Sequence, residues 1–337
     1  MTIATRPADG SPRGAAWRAA FAAVPRDAFL PALAPAEAGP EAGHGHGHDP
    51  EGGGEGPQAM LHAMYQALDV PDGGRVLEIG TGSGYGAAVL CHRFGGERVV
   101  SLDADPEVLG AARGRLAGAG YAPALAAGDG VRGCSEYAPY GAVVGRPANG
   151  RVPAALAAQV VPGGALVLAL SSGIAVLTAG VDATASGRFL PVLAHRATGA
   201  AASVRSYIPA LLVPLGTSVD VALPADISAD MPRFLGGLVQ PDVHELPLID
   251  ADGRRVYGLV HPGSGSWARV APRDDGTARV QFEGTRDLWG ERAPVLTAWA
   301  KAACPGPERY GLGVSEDGRH RLWLDSPVDG PGWFLPA

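Results

Sequence analysis

The chain has 337 residues, of which 46% are hydrophobic, and its formal net charge is −7. This length accommodates one large core and a smaller second domain. The mildly negative charge, with no cluster of lysine and arginine, argues against affinity for a nucleic acid backbone or an acidic membrane surface. The three cysteines are far apart and form no C-x-x-C motif, which favours a reduced environment. Because the sequence begins without the apolar core of a signal peptide, we expect a cytoplasmic protein.

Residues 41–56, with the sequence EAGHGHGHDPEGGGEG, are rich in glycine and histidine. His44, His46 and His48 alternate, so an extended segment would present all three on one side, as a metal site requires. The glycines between them oppose such a site, because a flexible segment loses much backbone entropy when it closes on a metal. We therefore predict a mobile, metal-free loop within an N-terminal helical segment that spans residues 1–58.

The segment RVLEIGTGSGYGAAVL, residues 75–90, joins a short apolar run to an apolar stretch with helical spacing. Val76, Leu77 and Ile79 are typical of a buried strand, and residues 87–90 are typical of the inner face of a helix. The alternating glycines between them therefore predict a strand-to-helix turn. An α/β sheet binds nucleotides at such a turn.

Three cofactor classes use a turn of this kind, and the neighbouring residues discriminate among them. A P-loop for ATP needs a Gly-Lys-Ser/Thr ending, but Lys301 is the only lysine in the chain. A dinucleotide fingerprint is matched only in an offset register, by Gly82, Gly84 and Ala87. Glu78 would also face the pyrophosphate of a dinucleotide, and like charges repel at close range. S-adenosylmethionine carries a sulfonium and an ammonium and no phosphate, so Glu78 would attract it.

Two further acidic residues end the next apolar segments along the chain. Asp103 follows the apolar run 99–102, where a ribose-binding carboxylate is expected, roughly 20 residues past the glycines. Asp129 lies between two glycines after a third short apolar segment. Either residue alone is equally compatible with an ordinary loop. Together with Glu78, they predict one crevice at the ends of three successive strands.

No charged residue occurs between Arg151 and Asp182, so this segment resembles a membrane span in composition. Residues 162–164 and 171–173, which contain proline, glycine and serine, divide it into a short helix and the strands ALVLAL and IAVLTAG. Each piece is too short to cross a bilayer. The pattern predicts buried strands of a sheet that is covered on both faces by helices.

The segments VLEIGTGSGYGAAVL, GDG, YAPYGAVV and VPGGALVLAL, in this order and spacing, resemble the protein-L-isoaspartate O-methyltransferases. The upstream segment VPRDAFLP, residues 24–31, is also similar to that family, and the resemblance covers about residues 17–180. It implies an α/β fold over residues 59–184, with the Rossmann-like sheet of class I S-adenosylmethionine-dependent methyltransferases and helices on both faces. The implied reaction is methylation of a side-chain carboxylate in a peptide or protein.

The resemblance also implies roles for individual residues. By the match, Glu78 and the glycines line the methionine end of S-adenosylmethionine, Asp103 holds the ribose hydroxyls and Asp129 contacts the adenine. The implied cofactor-binding residues are Glu78, Gly80, Thr81, Gly82, Ser83, Gly84, Tyr85, Asp103, Ala104, Gly128, Asp129 and Gly130.

The substrate side departs from the family pattern. Gly56 stands where the family places a serine at the substrate carboxyl, and Gly141 replaces the usual aspartate. The threonine-alanine segment after the fourth strand is replaced by GRPANG. Arg146 in that segment is a candidate clamp for a carboxylate. His62 and Tyr65, on the first core helix, are further substrate-side candidates.

The C-terminal part, residues 185–337, is predicted to be a smaller α+β accessory domain. Three Asp-Gly pairs between β-rich stretches predict hairpins; they are Asp252-Gly253, Asp275-Gly276 and Asp317-Gly318. Between the last two, residues 288–299 have helical spacing, with Pro294 as a bend or boundary. This part resembles the extra module of isoaspartate-methyltransferase homologues that act in the maturation of ribosomally made peptides.

These features predict a peptide-tailoring carboxyl methyltransferase that uses S-adenosylmethionine. Its product, an Asp or isoAsp methyl ester, would lead to an aspartimide. Two alternatives remain open at this point. One is a general protein-L-isoaspartate repair enzyme, which Gly56 and the C-terminal module disfavour. The other is a catalytically altered scaffold that binds a peptide, which the intact cofactor crevice disfavours.

Overall fold

The computed structural model describes residues 11–29, 57–148, 150–193, 202–213, 217–224 and 226–336. The contacts divide the chain into two compact units. The first unit comprises residues 1–194, 307–335 and 337, and the second comprises residues 195–306 and 336. Gly56 and the glycine- and histidine-rich segment 41–56, for which we predict a mobile, metal-free loop, lie outside the described residues.

Within the described residues, the helices of the first unit are α1 (Pro12–Ala23), α2 (Pro57–Ala67), α3 (Tyr85–Phe94), α4 (Pro106–Gly118) and α5 (Ala154–Ala158). The second unit adds α6 (Ala202–Arg205), α7 (Ile208–Leu212), α8 (Asp230–Val239) and α9 (Leu288–Lys301). The strands in the described part of the chain are β1 (Val76–Ile79), β2 (Val99–Asp103), β3 (Ala124–Ala127), β4 (Tyr140–Gly145), β5 (Val160–Leu170), β6 (Gly173–Ala179), β7 (Ala185–Leu193), β8 (Thr217–Ala222), β9 (His244–Ile249), β10 (Arg255–His261), β11 (Ser266–Pro272), β12 (Thr277–Glu283), β13 (Tyr310–Val314), β14 (His320–Leu324) and β15 (Gly332–Phe334).

The first unit is built on a ten-stranded mixed sheet with the order β15-β14-β13-β7-β6-β5-β4-β1-β2-β3. The strands from β3 to β5 in this order pair in parallel. The strands from β5 to β15 pair antiparallel. This is the α/β methyltransferase fold that the sequence predicts, extended on one side by an antiparallel half.

The central strands of the parallel half are buried on both faces. All four residues of β1 are buried. Val76 belongs to a core formed with residues of α1 to α4, and Leu77, which is also fully buried, points to the opposite face because side chains alternate along a strand. The continuous apolar runs of the sequence follow from this burial, since a sheet covered on both faces leaves no strand face for polar residues.

The uncharged segment between Arg151 and Asp182 forms α5, β5 and β6, as predicted. β5 and β6 are antiparallel neighbours in the middle of the large sheet, and most of their residues are buried. Among the helices of the described ranges, none is long and apolar enough to cross a membrane.

The division of the chain differs from the predicted domain boundary at residue 185. β7 begins at this residue, but it pairs with β6 and continues the large sheet. β13, β14 and β15 then return to the same sheet, with β13 beside β7. The hairpin predicted at Asp317-Gly318 is confirmed, but it belongs to the first unit. The Asp-Gly pattern predicts this hairpin, but it does not predict that β13 pairs with β7. Pairing between strands more than a hundred residues apart leaves no local signal in the sequence.

The second unit contains a five-stranded antiparallel sheet with the order β8-β12-β11-β10-β9. The predicted hairpins at Asp252-Gly253 and Asp275-Gly276 connect β9 to β10 and β11 to β12. The predicted helix is α9, but Pro294 lies inside it and does not end it. Val295, Leu296 and Trp299 beyond the proline are buried, and this packing stabilises the helix across the missing backbone N–H.

Candidate functional site

The glycine turn connects β1 to α3 through three left-handed glycines. The φ angles of Gly80, Gly82 and Gly84 are 94°, 52° and 89°. Residues with a Cβ rarely adopt these angles, so the alternating glycines are a backbone requirement of the turn. The backbone N–H groups of Gly80 and Thr81 donate to the Leu102 carbonyl at 2.8 and 3.2 Å, which fixes the turn to β2.

Open space lies beside the first two glycines. A Cβ atom on Gly80 or Gly82 would have no other atom within 4 Å. Gly84 differs, because its Cβ would lie 3.2 Å from the Leu116 side chain of α4. The turn therefore packs on α4 at one end and borders open space at the other. A concave surface with exposed backbone at a strand-to-helix turn is suited to a nucleotide-like ligand.

Asp103, at the end of β2, is bound to the glycine turn. Its Oδ2 atom accepts the Gly82 backbone N–H at 3.0 Å, and its Oδ1 atom accepts the Asp105 N–H at 3.1 Å. The Asp103 carbonyl also accepts the Gly128 N–H at 2.9 Å. The ends of β1, β2 and β3 are thereby linked into one edge. Ala104, which follows Asp103, is exposed at this edge.

Asp129 lies on the neighbouring turn after β3, and its side chain is exposed. Its Oδ1 atom accepts the Val131 N–H at 2.9 Å, so the turn is closed by its own carboxylate. A Cβ on Gly130 would lie 2.7 Å from Ile79 Cγ2, which shows how closely this turn packs on β1. The structure thus places Asp103 and Asp129 on adjacent turns at the same end of the sheet.

Glu78 is enclosed by protein. Only 4% of its surface is exposed. Tyr65 Oη of α2 donates to Glu78 Oε1 at 2.5 Å, and Ser101 Oγ of β2 donates to Oε2 at 2.6 Å. The Ser101 hydroxyl also lies 2.7 Å from Thr81 Oγ1. A Cβ on Gly86, in the first turn of α3, would lie 2.1 Å from Glu78 Oε1, so this glycine is required for the carboxylate to fit.

Burial raises the pKa of Glu78 to about 7, although the hydrogen bonds from Ser101 and Tyr65 act in the opposite direction and Asp103 adds to the increase. Burial likewise raises the pKa of Tyr65 well above its usual value, so this hydroxyl remains a donor. The sequence places Glu78 at the open mouth of the strand, but the structure places it beneath the turn. Any influence of Glu78 on a group bound at the turn would therefore be electrostatic.

Ser83 and Tyr85 complete the turn. Ser83 Oγ accepts the Tyr85 N–H at 3.3 Å, and the Ser83 carbonyl accepts a hydrogen bond from Arg115 at 3.4 Å. The Tyr85 ring is 8% exposed and meets Phe29 edge-on, with 5.9 Å between the ring centroids. Phe29 comes from the VPRDAFLP segment, so the N-terminal part of the family resemblance contributes to this site.

The substrate-side candidates are not brought together. Arg146 is exposed directly after β4, and its Nη2 atom lies 3.6 Å from Met60 Sδ of α2. The ring centroids of His62 and Phe21 lie 3.8 Å apart with the rings tilted, and burial, with a contribution from Arg26, lowers the pKa of His62. Tyr65 points to Glu78. Among these three residues, Arg146 alone is exposed.

Gly141 has a packing reason to lack a side chain. A Cβ on this residue would lie 3.1 Å from Pro71 Cδ and 3.2 Å from Gly74 Cα. The close approach of these two backbone segments explains glycine at a position where the family has an aspartate. The departure belongs to packing at the start of β4, away from the glycine turn at the other end of β1.

Ser101, Phe29 and Gly86 were not predicted as site residues. A polar side chain within the apolar run VVSLD is a signal that could have identified Ser101, because a buried hydroxyl needs a partner. Nothing in the local sequence pairs Phe29 with Tyr85. For metals, the residues that the structure describes include no group of three or more His, Cys, Asp or Glu side chains able to hold an ion.

A Rossmann-like sheet, a glycine turn and acidic residues at three strand ends define the class I methyltransferases. The protein-L-isoaspartate(D-aspartate) O-methyltransferase family matches residues 15–183. The chain belongs to this family, and it is an S-adenosylmethionine-dependent carboxyl O-methyltransferase. Residues 184–337 lie beyond the matched region.

The names of two sequence relatives agree with this assignment. The protein-L-isoaspartate O-methyltransferase of Methylorubrum populi is 39% identical over 158 residues, which are 46% of this chain and 71% of that protein. The protein of the same name from Ignicoccus hospitalis is 37% identical over 152 residues, 43% of this chain and 68% of that protein. A solved structure of a protein-L-isoaspartate O-methyltransferase is 21% identical, with a TM-score of 0.49, over 92% of this chain and 95% of that chain.

Proposed function

We propose that the chain methylates the side-chain carboxylate of an Asp or isoAsp residue in a ribosomally made peptide, which leads to an aspartimide. The observation that carries the cofactor part is the buried Glu78 carboxylate beneath the glycine turn, with Asp103 fixed to Gly82 above it. Two acidic groups beside one crevice favour a cationic ligand over a pyrophosphate. S-adenosylmethionine has this charge, and it also has a ribose diol.

The residues present fit this cofactor. The open space beside Gly80 and Gly82 leaves room for its methionine end. Each oxygen of Asp103 accepts one backbone N–H, and because a carboxylate has about four lone-pair sites, capacity remains for two ribose hydroxyls. Asp129, on the adjacent turn, is proposed to contact the adenine. The other implied binding residues, from Thr81 and Ser83 to Tyr85, Ala104, Gly128 and Gly130, form or flank these turns.

Transfer of a methyl group to a carboxylate needs little help from acid-base residues. The bound cofactor supplies an electrophilic methyl group. A peptide aspartate, with a pKa of about 4, is already an anion at neutral pH. Its oxygen forms the new bond to the methyl carbon, and the electron pair of the broken C–S bond stays on sulfur. The protein contributes orientation and exclusion of water. Because the protein contributes these two effects, glycine in place of the family serine at position 56 is compatible with the reaction.

Arg146 is proposed to orient the substrate carboxylate. It is exposed after β4, the strand that pairs with β1, so its guanidinium can reach the crevice edge and form paired hydrogen bonds to a carboxylate. Its proximity to Met60 on α2 supports a position between the cofactor crevice and the helix that precedes β1.

Residues beyond the family match support a peptide substrate. The second unit, residues 195–306, has its own five-stranded sheet and its own buried core around Val204, Leu211 and Val260. Methyl transfer itself does not need an added domain of this size. A short peptide offers few contacts near the reacting carboxylate, so binding energy from a remote surface would position it. We propose that the second unit supplies that surface.

The carbonyl of the methyl ester would be more reactive toward a nucleophile than the free carboxylate is. In the resulting peptide, the backbone nitrogen of the next residue attacks the ester carbonyl, loses its proton and expels methanol, which closes the aspartimide ring. The general repair reaction uses the same methyl transfer, and the names of the relatives agree with it equally well. The extra C-terminal residues favour tailoring. A scaffold without activity is disfavoured by the complete glycine turn and its acids.

Mass spectrometry on three substrates separates these functions. They are a ribosomal peptide encoded in the same gene neighbourhood, the same peptide with its candidate Asp replaced by Asn, and a generic isoaspartyl peptide. Tailoring predicts a transient methyl ester on the first peptide and then a product lighter than the substrate by one water. Methylation of the generic peptide alone would contradict tailoring and support repair. No methylation of any of the three would support the scaffold.

A further inference from the structure

The contact between Tyr65 and Glu78 joins two parts of the first unit with different proposed roles. Tyr65 belongs to α2, the helix on the substrate side, whereas Glu78 lies beneath the cofactor turn. Their hydrogen bond, at 2.5 Å, spans 13 residues of sequence and is fully buried. The Tyr65 ring is held from its other side by Trp17 and Phe21 of α1, with centroids 5.8 and 6.0 Å away. Its hydroxyl therefore has a fixed direction.

The groups around Glu78 make its charge dependent on these hydrogen bonds. Ser101 of β2 is the other hydroxyl donor. Asp103 of β2 opposes ionisation electrostatically, and burial opposes it more strongly. From α3, the titratable side chains of Cys91 and Tyr85 lie nearby; burial and Glu78 raise the pKa of Cys91 to about 12, and burial raises that of Tyr85, so both are neutral at physiological pH. No basic side chain faces Glu78 in these described contacts, which leaves the two hydroxyls as its stabilising partners.

We propose that Tyr65 is a positioning residue for the methyl donor, because its hydroxyl favours the ionised form of Glu78 and fixes the carboxylate beneath the glycine turn. This role rests on the proposed binding of S-adenosylmethionine at that turn. The donor has a sulfonium, whereas the product S-adenosylhomocysteine has an uncharged sulfur. An ionised Glu78 thus stabilises the donor more than the product, because methyl transfer removes the sulfonium charge, whereas the ammonium is common to both ligands. Tyr65 sets this preference and, through α2, links it to the substrate side.

The test compares Tyr65→Phe with the wild type by calorimetry, using each ligand separately between pH 5.5 and 9. The substitution keeps the ring that packs on Trp17 and removes the hydroxyl. Loss of this donor makes ionisation of Glu78 less favourable, so the pH midpoint of donor binding is expected to rise by about one unit. At pH 6, below both midpoints, donor affinity is expected to fall about tenfold, and product affinity less than threefold. Titration of the ligand itself is common to both proteins and cancels.

Tyr140→Phe is the matched control. Tyr140 is also a fully buried tyrosine, and its hydroxyl donates to the Cys134 carbonyl at 2.5 Å, away from Glu78. We expect this variant to keep the wild-type midpoint and the wild-type ratio of donor to product affinity. Glu78→Gln is expected to abolish the pH-dependent difference between the two ligands.

Each outcome bears on a different claim. An equal loss of donor and product affinity in Tyr65→Phe, with an unchanged midpoint, would show that the hydroxyl only supports the fold, and it would overturn the positioning role. Binding of both ligands by Tyr65→Phe with wild-type affinities would likewise overturn the positioning role. Failure of the wild type to bind the donor at any pH would instead contradict the proposed function, and the role of Tyr65 with it.

Discussion

Asp103 Oδ2 accepts the backbone N–H of Gly82 at 3.0 Å. This single hydrogen bond fixes the carboxylate at the end of β2 to the middle of the glycine turn. The turn has a left-handed conformation at Gly82, and that conformation directs its N–H toward β2. The carboxylate that we propose to bind the ribose is consequently fixed directly to the glycine turn.

Asp103→Ala is expected to weaken S-adenosylmethionine binding at least about tenfold, since the ribose loses a charged hydrogen-bond partner and the turn loses its anchor. Isothermal calorimetry measures this loss. Asp72→Ala is the control, because Asp72 is exposed and lies just before β1, at the opposite end of that strand. NAD should give no binding heat with the wild type. Measurable NAD affinity, or wild-type donor affinity in Asp103→Ala, would argue against the proposed crevice.

Gly86→Ala is expected to destabilise the protein by about 1–3 kcal/mol, because the new Cβ would lie 2.1 Å from Glu78 Oε1 and 2.3 Å from Tyr65 Oη. Urea unfolding measures the change. Gly110→Ala in α4 is a matched helical control: its Cβ meets nothing within 4 Å, so helix propensity alone predicts a gain of up to about 1 kcal/mol. Equal stability changes in the two variants would contradict the close packing around Glu78.

The raised pKa of Glu78 predicts a specific pH dependence of stability. The folded state holds this proton up to about pH 7, whereas the unfolded state releases it near its ordinary value of about 4.3. The contribution of Glu78 is therefore fully present below the unfolded pKa and is lost as the pH rises toward 7. The free energy of unfolding of the wild type, minus that of Glu78→Gln, should fall by up to about 1.4 kcal/mol per pH unit between pH 5 and 7.

Denaturant unfolding of the two proteins at several pH values, without cofactor, makes this comparison. All other titrating groups are shared, so they cancel in the difference. Above pH 8 the difference should become constant. A difference that stays constant from pH 5 to 7 would mean that the folded-state pKa of Glu78 is not raised above its unfolded value, and the enclosure of the carboxylate would then be wrong.

Arg269 and Asp250 form a buried ion pair in the second unit, 3.0 Å apart, with 6% and 10% of their side chains exposed. Arg269 also donates to the Leu211 carbonyl and to Gln281. Arg269→Ala leaves Asp250 buried without its cation, so we expect a loss of about 3–5 kcal/mol in the unfolding free energy of this unit. Arg279→Ala, at an exposed pair with Asp220, is expected to change little. Comparable losses in both variants would contradict this account.

Local patterns predicted much of this molecule. The glycine turn, the uncharged strands and the three Asp-Gly hairpins each depend on neighbouring residues, and a glycine with positive φ follows the aspartate at all three hairpins. The return of β13 to β7 depends instead on pairing between distant strands, for which the sequence carries no local mark. The domain boundary at residue 185 differs from the structure for this reason.

The candidate site also combines features that local patterns predict with contacts between distant residues that they do not predict. Asp103 and the glycines could be placed from spacing, because strand ends in a parallel sheet meet at one edge. The enclosure of Glu78 could not, since it requires Tyr65 from α2 and Ser101 from β2 to arrive at the same carboxylate. Tyr65 therefore contacts Glu78 beneath the glycine turn, whereas its position on α2 alone suggests a residue that contacts the substrate.

The central claim is transfer of a methyl group to a carboxylate, and the chemical stability of the product tests it most directly. The protein is incubated with a peptide substrate and with S-adenosylmethionine labelled in its methyl group, and the labelled peptide is then treated with mild alkali. A methyl ester is expected to release its label as volatile methanol, and the Asp103→Ala protein should transfer much less label. Label that remains on the peptide after alkali would indicate methylation at nitrogen, sulfur or carbon and would contradict the account.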